Sequence, residues 1–398
     1  MKRLVGRIQP YPWGSTTAIP QFLGAEPTGD PQAELWLGAH PMAPADLVTD
    51  SGEEPLDAAI ATDPAGWVGA LSVERFGPRL PYLMKVLAAD RPLSLQAHPD
   101  RARAEQGFAR EEAAGIPRDA PERTYRDDWP KPEALCALGD FEALCGFREP
   151  AETYRLFDAL GVPEAGDLVA PLQNGGAAEL GQVFGDLLRM PDAGSLVLAV
   201  AGAANRLVSE PGPVGRFART AAEIASYYPG DPGVVAALLM NRVSLRKYDA
   251  LYLPAGNLHA YLRGIGVEIM ANSDNVLRGG LTGKHIDIDE LLRLVDFAPG
   301  PVGPVPTEQI SAAVLRYRTE APEFALWRID VDRAPGDGTA VPAYGSGRVV
   351  LCGEGSVTLR SGGVDLGLGR GQAAYLVAEE AAVVRGSGTV FVGASGIG

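Results

Sequence analysis

The rhythm of apolar and polar positions changes three times along the chain. From residue 4 to about residue 146, short apolar runs are punctuated by Gly and Pro. That pattern predicts an antiparallel β architecture interrupted by helices. From Thr153 the period lengthens: Tyr154, Phe157 and Leu160 fall at i, i+3 and i+6, one face of a helix. Further on, Asp231-Pro232-Gly233 precedes Val234, Val235, Leu238 and Leu239, an N-cap with proline at the first helical position. Residues 150–245 are therefore expected to form a helical domain inserted into the β domain, packing without taking part in chemistry. Strand rhythm returns at residues 248–253. After the linker Ala298-Pro299-Gly300-Pro301-Val302-Gly303-Pro304, Ser356-Val357-Thr358-Leu359-Arg360 alternates strictly, and a Ser-Gly-Gly turn leads to a further strand at residues 369–377. Residues 304–398 thus predict a small β-sandwich or jelly roll. This region holds no histidine, so no metal is expected there.

Three segments of the β region carry metal-binding chemistry. They are Ser94-Leu95-Gln96-Ala97-His98-Pro99-Asp100, Lys131-Pro132-Glu133, and Pro254-Ala255-Gly256-Asn257-Leu258-His259-Ala260-Tyr261. Residues i and i+2 of an extended strand project from one face. Ser94, Gln96 and His98 are thus expected to line one surface, with Leu93, Leu95 and Ala97 behind it. His259 and Tyr261 repeat the spacing after a Pro-Ala-Gly turn. Two imidazoles, one carboxylate and one neutral amide oxygen suit zinc or a similar first-row ion, with room left for water or substrate. A neutral Gln ligand leaves the cluster with net positive charge, which favours an anionic intermediate. Of the two remaining histidines, His40 is expected to pack against a Trp or reach the surface, and His285 to have no function.

With these segments in place, the chain resembles the type I mannose-6-phosphate isomerase (phosphomannose isomerase) family. The resemblance rests on Tyr11-Pro12-Trp13-Gly14, on Ala33-Glu34-Leu35-Trp36-Leu37-Gly38-Ala39-His40-Pro41, and on Pro81-Tyr82-Leu83-Met84-Lys85-Val86-Leu87 leading into the Gln-x-His strand. It extends to the stretch from Glu268-Ile269-Met270-Ala271-Asn272-Ser273-Asp274-Asn275 through Val276-Leu277-Arg278-Gly279-Gly280-Leu281-Thr282-Gly283-Lys284, while residues 150–245 match only loosely. The resemblance implies one zinc ion per chain held by Gln96, His98, Glu133 and His259. It places an active-site arginine at Arg278, to grip phosphate bidentately or stabilise enediolate charge. Glu268 is a candidate base or a supporting carboxylate. Lys131 is a candidate proton shuttle, provided burial lowers its pKa. Trp13, Ser94, Tyr261, Asp274 and Lys284 are implied as substrate contacts. The fold expected is mixed β with inserted α. A cupin-like jelly-roll catalytic domain is built from residues 1–149 and 246–303, the helical insert spans 150–245, and a second jelly roll covers 304–398. The implied reaction interconverts mannose 6-phosphate and fructose 6-phosphate. Another metal-dependent sugar-phosphate isomerase or epimerase, a non-catalytic sugar-phosphate-binding protein and an iron-dependent dioxygenase are the alternatives. One departure stands out: Pro130 occupies the position where the family usually has a histidine, cast as a helper in ring opening.

Composition narrows the partners. A formal net charge of -15 argues against nucleic acid or an anionic membrane. An anionic sugar phosphate then needs a locally positive site. Only Lys2, Lys85, Lys131, Lys247 and Lys284 supply lysine, and three of these five fall in the segments above. Cys136, Cys145 and Cys352 form neither a Cys-x-x-Cys pair nor an even set, so a reduced, cytoplasmic setting is expected. No apolar run follows Lys2, Arg3 and Arg7, so no signal peptide is read there. The longest apolar stretch, residues 196–204, is too short to span a bilayer. The protein is expected to be a monomer or homodimer.

Overall fold

The computed structural model describes residues 1–397 as a mixed α/β protein on two large antiparallel sheets. The first sheet has ten strands, its main path running Met240–Leu245, Phe141–Phe147, His259–Ala271, Tyr82–Ala89, Glu34–Gly38 and Arg7–Gln9. Glu133–Ala137 pairs with Ala250–Leu253 and with the second half of His259–Ala271. Every residue of Glu34–Gly38, Tyr82–Ala89 and Glu133–Ala137 is buried, because both faces of this sheet are covered. Along Tyr82–Ala89, Met84, Val86 and Ala88 join the core against the second sheet. Leu83, Lys85 and Leu87 alternate onto the opposite face, which is a cavity wall. A continuous apolar run thus conceals one inward-facing lysine.

The second sheet has eleven strands and is dominated by the C-terminal region, including Arg348–Ser361 and Val383–Ala394. It also recruits Lys2–Val5, Asp46–Thr49 and Gly52–Pro55 from the N-terminal region, with Lys2 opposite Tyr375 and Leu4 opposite Leu47. Strands from within residues 1–149 thus pair into the sheet of the C-terminal region. Pairing across some 370 residues leaves no trace in local periodicity. The sheets are also tied by Tyr82. Its hydroxyl donates to the Gly393 carbonyl at 2.7 Å and accepts from the Val349 N–H at 3.1 Å.

The helical insert is present as Pro150–Asp158, Pro163–Val169, Ala177–Arg189, Ala193–Leu207, Gly212–Tyr227 and Gly233–Ala237. It ends earlier than expected. Met240–Leu245 is not part of it but forms the edge strand beside Phe141–Phe147. The apolar faces of the helices share one core with Leu95, Ala97, Leu258, Leu277 and Leu281, the backs of the site segments. Among the described residues no single helix is long and apolar enough to cross a membrane.

Candidate metal centre and substrate cavity

The strand His259–Ala271 organises the site. In a regular strand, residues nine apart project from opposite faces, so His259 and Glu268 would be separated by the sheet. A register shift between Tyr261 and Arg263 makes Leu262 an extra residue in the pairing with Phe141–Phe147. This bulge reverses the parity of everything that follows. Gly264 continues the bend with φ of 130°, where a Cβ would sit 2.6 Å from the Phe141 ring. His259, Tyr261 and Glu268 consequently share one cavity, and the Tyr261 hydroxyl donates to Glu268 Oε1 at 2.7 Å.

His98, Glu133 and His259 are buried, and a ligand atom of each lies within 4.8 Å of the other two. His98 Nε2 is 3.2 Å from Glu133 Oε1, and His259 Nε2 is 3.3 Å from Glu133 Oε2. His98 Nδ1 faces the Asn275 carbonyl at 2.8 Å, and His259 Nδ1 faces that of Asn257 at 3.1 Å. A carbonyl only accepts, so each Nδ1 carries the proton and each Nε2 presents a lone pair. Burial pushes the His98 pKa down to about 4 against the pull of Glu133, so its imidazole is neutral at pH 7. His98 Nε2 is buried without a hydrogen-bond partner. Two lone pairs aimed at one carboxylate repel unless a cation lies between them. Tetrahedral zinc ligands at about 2.1 Å stand roughly 3.4 Å apart, close to the two separations found. Gln96 lies on the adjacent strand, directly opposite His259 in register, and lines the same cavity. Its amide nitrogen donates to Ser94 Oγ at 3.1 Å, leaving the amide oxygen free. The donor set fits zinc.

The metal end opens into a cavity of about 670 Å³. Trp13, stacked on Tyr11 at 5.8 Å, Ser94 and Tyr261 lie on its walls. Lys131 Nζ is 3.5 Å from Glu133 Oε1. Glu268 is buried in an ion pair with Lys85, Oε2 to Nζ 2.8 Å, and Lys85 also reaches Glu34 Oε1 at 3.3 Å. Burial, helped by the neighbouring carboxylates Glu133 and Glu34, raises the Glu268 pKa against the pull of Lys85. Against the desolvation penalty, Glu268 and Glu34 hold Lys85 firmly protonated. Arg278 pairs in register with Gln96 on the short strand Leu277–Arg278. Its pKa is lowered by burial and then by Arg126, and that of Lys284 by burial, Arg278 and Arg126. Arg126, Arg278 and Lys284 thus form a positive cluster on the cavity wall; none of the three is in an ion pair among the described residues, and the nearby Asp274 carboxylate feels the charge of Arg126. This is the local reversal of sign that an acidic protein needs to attract an anion.

Several site residues lay beyond the sequence reading. Lys85 and Arg126 look like ordinary basic residues in sequence. His40 is buried edge-on to Trp36 as expected of a packed residue, yet it lines the cavity with Nε2 3.5 Å from Asp274 Oδ1. Asn275 is fully buried. It orients His98 through its carbonyl and holds the Arg126–Trp129 backbone through its side chain. Leu93, expected behind the strand, lies on the cavity side. The insert also contributes, contrary to expectation: Tyr228 is on the cavity wall, its hydroxyl donating to the Pro92 carbonyl at 2.7 Å. His285 is exposed.

Comparison with known proteins decides the family. Residues 1–150 match the model of the phosphomannose isomerase type I catalytic domain. Mannose-6-phosphate isomerase of Salmonella typhimurium is 41% identical over 98% of this chain and 97% of its own length. The chain belongs to the type I mannose-6-phosphate isomerase family. Within the family, the Escherichia coli enzyme is 39% identical, covering 98% of each chain. A zinc-bound mannose 6-phosphate isomerase crystal structure superposes with a TM-score of 0.90 at 36% identity, covering 99% of both chains. A lysine-to-alanine mutant of the Salmonella typhimurium phosphomannose isomerase superposes at 0.91, with 36% identity and 99% of both chains covered.

Proposed function

We propose that this protein is a zinc-dependent aldose-ketose isomerase interconverting mannose 6-phosphate and fructose 6-phosphate. One observation carries the reading: the cluster of His98, Glu133 and His259 adjoins a cavity whose wall also carries Gln96 and the cations Arg126, Arg278 and Lys284. A sugar phosphate has the matching polarity, with neutral hydroxyls at one end and a dianion at the other. The reaction moves one proton between C2 and C1 while negative charge develops on the neighbouring oxygens. Zinc held by Gln96, His98, Glu133 and His259 supplies Lewis acidity that lowers the cost of that charge.

The chain's own groups do the rest. Arg278, Arg126 and Lys284 hold the phosphate, and Arg278, next to Gln96 in register, also faces the developing charge. Glu268 carries the proton between the two carbons. Its raised pKa makes it the more basic carboxylate, and Tyr261 and Lys85 aim its two oxygens. Trp13, Ser94, Tyr261 and Asp274 shape the sugar pocket, and Lys131 moves protons during ring opening. We further read residues 1–149 with 246–303 as a cupin-like jelly roll, 150–245 as its helical insert except that Met240–Leu245 returns to the first sheet, and 304–398 as a second jelly roll, with the strand exchanges described above. Three buried free thiols support a reducing, cytoplasmic setting.

The test is a coupled assay on mannose 6-phosphate before and after chelation. Activity should vanish with the metal and return when zinc is restored. Turnover that survives full zinc removal would overturn the reading.

Pro130→His probes the departure at residue 130. If ring opening limits turnover, restoring the family's histidine should raise the rate on the closed-ring sugar phosphate by up to about 10²-fold, the lower range of general acid-base assistance. Zinc content must be measured alongside, because Pro130 constrains the backbone that aims Lys131 and Glu133. An unchanged rate at full zinc occupancy would mean that ring opening does not depend on that position.

A further inference from the structure

We infer that Asp231, on the helical insert, is a positioning residue for phosphate recognition, acting through the loop that carries Lys284; this rests on reading Arg126, Arg278 and Lys284 as the phosphate site. The carboxylate of Asp231 lies at the entrance to Gly233–Ala237. Oδ1 accepts the Gly233 N–H at 2.7 Å, as a helix-entry residue would. The same oxygen also accepts the Leu281 N–H at 3.1 Å, and Oδ2 accepts that of Thr282 at 3.1 Å. One side chain of the insert therefore binds two successive amides of the segment between Arg278 and Lys284.

Those two amides belong to backbone that does not hold its shape alone. Leu281 has φ of 55°, the left-handed region that a branched side chain rarely adopts, and Gly280 has φ of 128°. Charged acceptors bind backbone amides about twice as strongly as neutral ones, so the carboxylate stabilises this conformation directly. The approach is also steric. A Cβ on Gly280 would meet Gly233 Cα at 2.4 Å, and a Cβ on Gly233 would meet Leu281 N at 2.4 Å. On its other side the loop is held by Leu95, between Ser94 and Gln96: Gly279 N–H donates to the Leu95 carbonyl at 2.8 Å, and Leu95 N–H to that of Gly280 at 3.1 Å. The cationic arm is thus clamped between the metal-binding strand and the insert. Asp231 sets the distance from zinc to phosphate, and so the length of substrate the cavity accepts.

The experiment compares Asp231→Asn, Asp231→Ala and Gly233→Ala in the zinc-loaded full-length protein, with Arg126→Ala as reference. The readouts are KM, kcat, inhibition by inorganic phosphate, zinc content and melting temperature. We expect Asp231→Ala to raise KM and the phosphate inhibition constant together by about tenfold, a change of ~1.4 kcal/mol, with a smaller fall in kcat. Asp231→Asn, keeping one acceptor oxygen, should show an intermediate rise with full zinc. Gly233→Ala should give the same signature by displacing the loop sterically. The sign is diagnostic. Removing a negative charge from this side of the cavity would by field alone strengthen anion binding, whereas loss of positioning weakens it. Unchanged or tighter phosphate binding by folded, zinc-loaded Asp231→Asn, with Arg126→Ala weakened, would overturn the role of Asp231. Phosphate binding unchanged in Arg126→Ala as well would overturn the phosphate site itself, and this inference with it. If Asp231→Ala does not fold, the other two variants decide.

Discussion

His98→Ala and His259→Ala should each lose zinc and isomerase activity together. Both imidazoles are already in the tautomer that offers Nε2 to Glu133, and burial keeps His98 neutral. Neither has a role to fall back on once its ring is removed. Metal-derived stabilisation of developing charge is worth several kcal/mol, so the loss should reach about 10³-fold or more, since 1.36 kcal/mol corresponds to tenfold. Removing either ring should also leave Glu133 as a buried carboxylate with one fewer partner, although Lys131 remains 3.5 Å away. Folding should therefore survive better than metal binding. Purified variants measured for zinc by elemental analysis and for turnover on mannose 6-phosphate give the answer. Wild-type turnover from a zinc-free variant would remove these residues from the metal centre.

Arg278→Ala should separate what the histidine variants keep joined. The guanidinium lies beside Gln96 in register but is not a donor to the metal, so zinc content should stay at the wild-type level. Losing one preorganised charged donor typically costs about 10²–10³-fold, and kcat/KM should fall by that amount. Part of the loss should appear as a raised KM, because Arg126 and Lys284 remain to bind phosphate at reduced strength. A variant that lost zinc as well would reassign Arg278 to folding.

The cluster of His98, Glu133 and His259, and Gln96 as a proposed fourth donor, were legible as candidates because each sits in a short motif whose chemistry is local. Gln96 and His98 are two apart on one strand, Glu133 follows a Lys-Pro, and His259 follows a Pro-Ala-Gly turn. The helical insert was legible through its 3.6-residue period, although its end was placed too late because Met240–Leu245 pairs with a strand almost 100 residues earlier. Glu268 was visible as a candidate, but its partners were not. Lys85 is hidden inside an eight-residue buried strand, and no local signal says that alternate positions there face a cavity rather than a core.

The sequence by itself determined the mixed β and helical character of the successive regions and brought the histidine, glutamate and glutamine motifs into view as candidate metal ligands. These follow from side-chain type and short-range spacing, which a linear chain records directly. Only the tertiary structure decided which residues share the cavity. The bulge after Tyr261 turns His259 and Glu268 to one side. Asn275 orients His98 across 177 residues, and Asp231 reaches 50 residues to the loop before Lys284. It also decided that Lys2–Val5 joins the C-terminal sheet and that three scattered cations, Arg126, Arg278 and Lys284, meet on one cavity wall. The physical reason is common to all of these. Register, bulges and long-range charge contacts are set by pairing between distant segments, and their energies exist only once the chain has closed on itself.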